Sequence, residues 1–235
     1  MNLFFCNTFD DAGRAVLNAE ESRHCISVLR MRKGDAIHFV DGAGGFYFAE
    51  ISEAHSSECV ATIIRKQEEY GKREYSLQIA IAPTKNADRF EWFVEKAVEI
   101  GIDHIIPLIC THSERKTINA DRIQRLILSS CKQSMKAAFP VLHTCISFKD
   151  FIHNNNEQTR LIAHCSPSFS RSSIHASYQK GQDAIILIGP EGDFSEEEIR
   201  LALDKGYTGL TLGESRLRTE TAGVIACAGI YLLNQ

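Results

Sequence analysis

The sequence predicts an α/β protein in two parts. Residues 1–70 read as a small β-barrel, and residues 75–235 as a mainly parallel sheet with helices on both faces. Three observations carry this reading. Short strand-like runs broken by glycine turns fill the N-terminal part, the pattern of a small barrel. After them strands alternate with amphipathic helices to the end of the chain, which implies parallel pairing. Between the two lies Lys66-Gln67-Glu68-Glu69-Tyr70-Gly71-Lys72-Arg73-Glu74, charged and glycine-containing as a domain linker is.

In chain order, Met1–Cys6 is a strand and Glu20–Leu29 a short helix offering Cys25, Ile26, Val28 and Leu29 to a core. Arg32-Lys33-Gly34-Asp35 turns into a strand over Ala36–Val40. Asp41–Gly45 turns again into Phe46–Ile51, and Cys59–Ile64 closes the set. Beyond the linker, Leu77–Ala82 is a strand ended by Pro83. Asp88 caps the next helix with Glu91 at N3. Phe90, Phe93, Val94, Ala97 and Val98 share one face of it, and Gly101 closes it. Ile102–Ile109 is a strand, and a longer helix runs from Asn119 to Phe139, stopped by Pro140. Strands at Arg160–His164, Ala184–Ile188 and Thr208–Leu212 alternate with helices starting at Ser195 and Thr219. In the last helix Ala222, Ala226 and Gly229, beside Gly223 and Cys227, leave room for another backbone. That serves either the core of the domain or an interface between two copies of the chain.

Composition narrows the class. A net charge of -4 argues against polyanion binding by the whole surface but leaves room for a basic face. Residues 1–70 hold seven Lys/Arg against eleven Asp/Glu. Residues 111–140 hold six against two (Arg115, Lys116, Arg122, Arg125, Lys132 and Lys136 against Glu114 and Asp121), which makes this stretch the best candidate for a surface that faces nucleic acid. The eight cysteines stand singly, with no CxxC or CxxH, so no metal site and no disulfide framework is expected. No signal peptide is read at the N-terminus, and the longest apolar run, Ala222–Leu233, is too short to span a bilayer. A cytoplasmic protein with reduced thiols is expected.

The richest stretch is Ala184 to Ile199. An unbroken apolar strand, Ala184–Ile188, meets Gly189-Pro190-Glu191-Gly192, and a helix start with strong punctuation follows. Ser195 and Glu198 form a capping box, and Phe194 and Ile199 are spaced as a hydrophobic staple. Strand, glycine loop and helix N-terminus together build small-molecule sites at the carboxyl ends of sheet strands. The loop has neither phosphate-cradling glycine spacing. With Glu191, Asp193 and Glu196–Glu198 it would repel a polyphosphate and favour a positively charged ligand, such as the sulfonium of S-adenosylmethionine. Leu210–Gly223 repeats the order of strand, glycine and helix.

"IGPEGDFSEEEI" followed by "LGESRLRTETAG" resembles the ribosomal RNA small subunit methyltransferase E family, the uridine-N3 methyltransferases of 16S rRNA within the SPOUT superfamily. "RHCISVLRMRKGD" and "DGAGG" resemble the family's N-terminal pattern, and "SERK" and "CKQSMKAAFP" its segments near the active site. The resemblance implies a PUA-like barrel that helps hold RNA and a SPOUT domain with a deep trefoil knot. It further implies a homodimer and S-adenosylmethionine bound by three loops. Carried onto this chain, the cofactor residues are Ala163, His164, Ile188, Gly189, Pro190, Glu191, Gly192, Leu212, Gly213, Leu217, Thr219, Thr221 and Ala222. The RNA-binding residues are Arg23, His24, Arg30, Arg32, Lys85, Arg89, Arg115, Lys132, Gln133, Ser134 and Lys136. Their partner is 16S rRNA in the small ribosomal subunit. The chain departs from the family pattern at Lys132 and Lys136, at Asp193 where glycine is usual, and at Ser215-Arg216.

Methylation at N3 of uridine requires loss of a weakly acidic imide proton. A fixed cation facing O2 or O4 lowers that barrier, as does a general base. Arg218 is the candidate for the first role. Glu220 is the candidate base, or a partner of the cofactor's amine. Two rival readings stand beside the enzyme: an idle RNA-binding scaffold that keeps the fold, and a doubly wound domain for another adenine ligand. The intact glycine loop and intact "LRTETA" favour activity, since a scaffold needs neither.

Overall fold

The computed structural model describes residues 2–153 and 157–235. The chain forms two compact units, Met1–Lys72 with Leu128–Phe139, and Arg73–Ile127 with Pro140–Gln235. The expected boundaries, 1–70 and 75–235, contain no such excursion. Here the end of one helix and the segment after it count with the first unit.

In the first unit β1 (Leu3–Phe5), β2 (Ala15–Val16), β3 (Ala36–Val40), β4 (Phe46–Ala54) and β5 (Cys59–Gln67) form one sheet in the order β1-β3-β4-β5-β2. Only β1 and β3 pair in parallel. β5 runs three residues past its expected end and takes in Lys66 and Gln67, because these pair with Tyr47 and Phe46. Irregular pairing between β4 and β5 at Phe48/Ala49 and Ile51/Glu53 increases local bending, as bulges do. Phe4, Leu17, Ile37, Phe39 and Ile51 are buried in its core. The expected helix at Glu20–Leu29 is α-helical only over Ala19–Arg23 (α1) and continues as a π-helix over His24–Val28.

The second unit is built on β6 (Leu77–Ile81), β7 (His104–Ile109), β8 (Val141–Leu142), β9 (Ile146–Ser147), β10 (Thr159–Ala163), β11 (Ser172–Ser173), β12 (Ala184–Ile188) and β13 (Thr208–Thr211). The sheet order is β11-β13-β10-β12-β6-β7-β8, with β9 also on β7. Among the described residues every pairing here is parallel. β12 is buried at all five positions, as a strand covered on both faces must be. β8, β9 and β11 were not legible, since two residues show no periodicity.

Of the helices, α2 (Ala87–Ile100) buries the expected face and ends at Gly101 with φ +118°. Its N-cap is Asn86, whose side chain accepts from the Asp88 amide, so Asp88 stands inside the first turn instead of capping it. α3 (Ala120–Gln133) stops well short of Pro140. Met135 takes φ +60°, Lys136 N donates to Cys131 O and Met135 N to Lys132 O. That is a Schellman termination, hidden from sequence reading because methionine rarely adopts the left-handed region. Two single-turn helices, α4 (Phe148–Phe151) and α5 (Ile174–Ser177), were likewise unforeseen. α6 (Glu196–Asp204) has both bonds of the capping box, and Phe194 and Ile199 are buried in one cluster.

The final helix, α7 (Thr219–Leu233), lies against α2. A Cβ added at Gly223 would come 2.7 Å from the Phe93 ring and 2.9 Å from Ile81, so this small-residue face serves packing within the domain. Gly223→Val is expected to destabilise the protein by about 1–3 kcal/mol through overpacking, read as a lower urea midpoint.

Candidate functional site

The carboxyl ends of three strands stand side by side. Ile188 at the end of β12 is opposite Ala163 of β10, and Ala163 is opposite Leu210 of β13. The connections leaving them enclose a cavity of about 570 Å³. β10 contributes Ala163, His164 and Cys165; β12 contributes Ile188, Gly189, Pro190, Glu191 and Asp193. Every residue from Leu210 to Leu217 lines it, and the start of α7 adds Arg218, Thr219 and Ala222. Arg171 completes the lining.

Of the thirteen expected cofactor residues, eleven therefore meet in one place. Gly192 and Thr221 are not on this cavity. Gly192 faces His112 instead, whose Cβ would lie 3.1 Å from an added methyl group. Thr221 lines a neighbouring recess. Sequence reasoning had not placed Cys165, Arg171, Leu210, Thr211, Glu214, Ser215 or Arg216 at the cavity. The first two bracket a polar, serine-rich stretch with no periodicity to flag them.

The acidic loop is held by its own carboxylates. Asp193 has φ +63°, the left-handed conformation that suits a glycine. Aspartate tolerates it here because its side chain finds backbone donors. Oδ2 accepts from Cys165 N at 2.8 Å and Oδ1 from Phe194 N at 2.8 Å, so Asp193 ties the β12 loop to the β10 loop. Glu191 Oε1 accepts from Lys85 N at 3.0 Å. Glu198 accepts from Thr111 N through Oε1 and from Ser195 N through Oε2. Gly189 is needed for local packing, since a Cβ there would sit 3.1 Å from the Phe194 ring.

His164 is the unusual side chain. It is only 4% exposed and lines the cavity, yet among the described residues neither ring nitrogen has a hydrogen-bond partner. Its ring meets Phe169 edge-on. Burial pushes its pKa below the ordinary histidine value, and Arg171 adds to this while Asp193 opposes it. Burial thus favours the neutral imidazole, which carries one donor and one acceptor.

Arg218 and Glu220 share a recess at the start of α7, and only Arg218 also reaches the large cavity. Arg218 lines the large cavity and also a second recess of about 340 Å³, formed with Asp88, Arg89, Trp92, Glu220 and Thr221. Among the described residues its guanidinium has no hydrogen-bond or ion-pair partner. Glu220 reaches only the second recess. It is 7% exposed, Oε1 lies 3.8 Å from Arg89 Nε, and Oε2 has no partner.

The expected RNA-binding residues divide between the two units. In the second, Arg115 donates to Lys85 O while Lys85 pairs with Glu114, and Arg89 faces Glu220. In the first, Arg23, Arg30 and Arg32 are exposed, His24 is half-buried against Phe4, and Gln133 is exposed. Ser134 donates to Ser130 O, and Lys136 is half-buried. Lys132 does not face solvent as a spare cation: its Nζ pairs at 2.6 Å with Glu21, a carboxylate 4% exposed. Among the described residues no group of three or more His, Cys, Asp or Glu could hold a metal ion. No helix is long and apolar enough to cross a membrane.

Comparison with known proteins agrees with this geometry. The family model for an RNA methyltransferase domain matches residues 72–231, and that for an RNA methyltransferase PUA domain matches residues 17–64. The chain is 27% identical over 209 residues to ribosomal RNA small subunit methyltransferase E of Rickettsia conorii, covering 88% of this chain and 84% of that one. It superimposes with TM-score 0.93 and 40% identity on a "probable rRNA-methyltransferase" of Porphyromonas gingivalis, over 100% of this chain and 98% of the other. A "putative methyltransferase" of Legionella pneumophila, solved in complex with the bound cofactor SAM, matches with TM-score 0.87 and 26% identity over the same shares.

Two outcomes are expected. Lys132→Ala leaves Glu21 buried and unpaired, so it destabilises the protein by on the order of 2–3 kcal/mol, less than for a fully buried pair. Glu21→Gln in the same chain recovers part of that, read by chemical denaturation. For His164 the sign follows from its depressed pKa in the folded state. As pH falls through the ordinary value of 6.5, the unfolded chain takes up a proton that the folded chain refuses, and stability drops. Between pH 7 and 5, His164→Asn loses less of its urea midpoint than the wild type does.

Proposed function

The chain belongs to the ribosomal RNA small subunit methyltransferase E family of RNA methyltransferases, and from that premise we propose that it methylates N3 of one specific uridine of 16S rRNA in the small ribosomal subunit. The cofactor is S-adenosylmethionine. The single observation that carries this reading is the cavity at the three strand ends, with Arg218 on its wall.

The residues present fit that cofactor. Ile188, Leu212 and Leu217 supply apolar walls, and the neutral His164 offers two unsatisfied nitrogens. The carboxylates of Glu191 and Asp193 add a negative field that suits a sulfonium. When bound, S-adenosylmethionine supplies an electrophilic methyl carbon, its C–S bonding pair remaining on sulfur. The chain's part is to hold the acceptor and manage its charge. Arg218 donates to a uracil carbonyl oxygen and stabilises the negative charge that develops as N3–H is lost. Glu220, with a buried carboxylate oxygen that has no partner, takes that proton. Its absence from the cofactor cavity favours this role over pairing with the cofactor's amine. Arg23, Arg30 and Arg32 of the PUA domain supply contacts to RNA phosphates.

On the same reading the last third of the chain carries a deep trefoil knot. The protein acts as a cytoplasmic homodimer during ribosome biogenesis.

Single-turnover methylation of small-subunit particles at saturating cofactor, with mass spectrometry of the digested rRNA, tests the proposal. The expected product is a methylated uridine at one position. Arg218→Ala is expected to slow transfer roughly a hundred- to a thousandfold, as loss of a charge-stabilising donor does. Lysine restores little, because a point charge does not reproduce the guanidinium fork. Calorimetric cofactor affinity should stay near the wild-type value. A rate within threefold of wild type would remove Arg218 from the chemistry, and no transfer by the wild type would favour the scaffold.

A further inference from the structure

The start of α7 is a wall shared by two cavities. Leu217, Arg218, Thr219 and Ala222 face the larger one, and Arg218, Glu220 and Thr221 face the smaller. The smaller recess has chemistry of its own. Asp88, Arg89 and Trp92 reach it from one face of α2, at the three- and four-residue spacing of a helix surface. Trp92 is 43% exposed, unusual for so large an apolar side chain. Beside it stands the one feature of the recess that calls for a ligand: Glu220 is more than nine-tenths buried, and among the described residues its Oε2 has no partner. A buried acceptor left unpaired is costly, and a hydrogen-bond donor entering the recess would satisfy it.

We propose that this recess seats the target uracil, with its ring against Trp92 and its N3–H directed at Glu220. The inference rests on the uridine-N3 reading and deepens it by assigning the nucleobase site and its selectivity. A methyl acceptor must adjoin the donor, and the two cavities adjoin at Arg218. Uracil presents a π-face, an imide N–H and two carbonyl oxygens. The recess answers with an indole, a carboxylate, and the guanidinium groups of Arg218 and Arg89. Cytosine carries a lone pair at N3 where uracil carries a proton, so it would set acceptor against acceptor at Glu220. Glu220 therefore selects uracil over cytosine, because a site built for an N–H donor penalises an analogue lacking it. Trp92 supplies sequence-tolerant stacking, as aromatic platforms do for single-stranded bases.

Trp92 is the only tryptophan in the chain, so intrinsic fluorescence reports on this recess alone. The test titrates the full-length protein with a short RNA hairpin carrying the target uridine, and with the same hairpin carrying cytidine there. Filter retention follows binding independently. The uridine hairpin is expected to quench Trp92 and to bind at least tenfold more tightly than the cytidine one. Glu220→Gln, which can donate to a cytosine N3, is expected to shrink that gap below threefold. In single-turnover methylation Trp92→Leu is expected to lose tenfold or more in the apparent affinity for small subunits, while Trp92→Phe stays within threefold. Calorimetric affinity for S-adenosylmethionine and the mass in solution should be unchanged in both variants. Bound hairpin with unchanged fluorescence would overturn the proposal, as would equal behaviour of the leucine and phenylalanine variants. Loss of the dimer in Trp92→Leu would also overturn it and mark Trp92 as an interface residue. A wild-type protein that methylates an atom other than uridine N3 would instead defeat the functional reading on which the proposal rests.

Discussion

The register of β12 is the constraint on which the second unit depends. Five consecutive apolar residues, Ala184–Ile188, are buried on both faces and pair in parallel with β10 on one side and β6 on the other. A shift of one residue would turn each side chain to the opposite face. It would also move Ile188 out of line with Ala163 and Ile81, and the connections after these strands would no longer converge. Placement of the cavity is thus a consequence of core packing.

Loop conformation is then set by carboxylates bonded to backbone amides. Asp193 reaches Cys165 N, Glu191 reaches Lys85 N, and Glu198 reaches Thr111 N while closing its own helix cap. Each of these acids reads in the sequence as free negative charge facing a ligand. In the structure each is first a brace between segments far apart in the chain, and its field at the cavity is secondary. The same arrangement accounts for Asp193 at a position of positive φ, since its side chain supplies bonds that glycine cannot make.

Positive charge is redistributed in a comparable way. The run from Thr111 to Pro140 reads as a single basic stretch, yet α3 ends at Gln133 and Leu128–Phe139 counts with the first unit. Lys132 is committed to the buried Glu21, while Lys116, Arg122 and Arg125 of the stretch stay exposed, Arg122 beside Glu91. Arg23, Arg30 and Arg32, which lie in a domain of net negative charge, are left exposed. Local charge density along the chain thus does not tell which cation is committed to a buried partner, because ion pairing is decided by neighbours in space.

The sequence by itself determined the architecture and the place of the site. Alternation of buried strands with capped helices and the capping box at Ser195 and Glu198 set the frame, and the two glycine-bearing motifs carry the family resemblance that named thirteen residues, eleven of which line one cavity. These signals are local, written in residues adjacent or a few positions apart, and so they survive without coordinates. Tertiary structure alone decided the rest. The Schellman end at Met135, the two-residue strands, the orphaned nitrogens of His164 and the sharing of Arg218 between two cavities all depend on partners distant in sequence. So does the arrangement at α7: residues 218 and 220 both line the smaller recess, but only Arg218 also reaches the larger cavity.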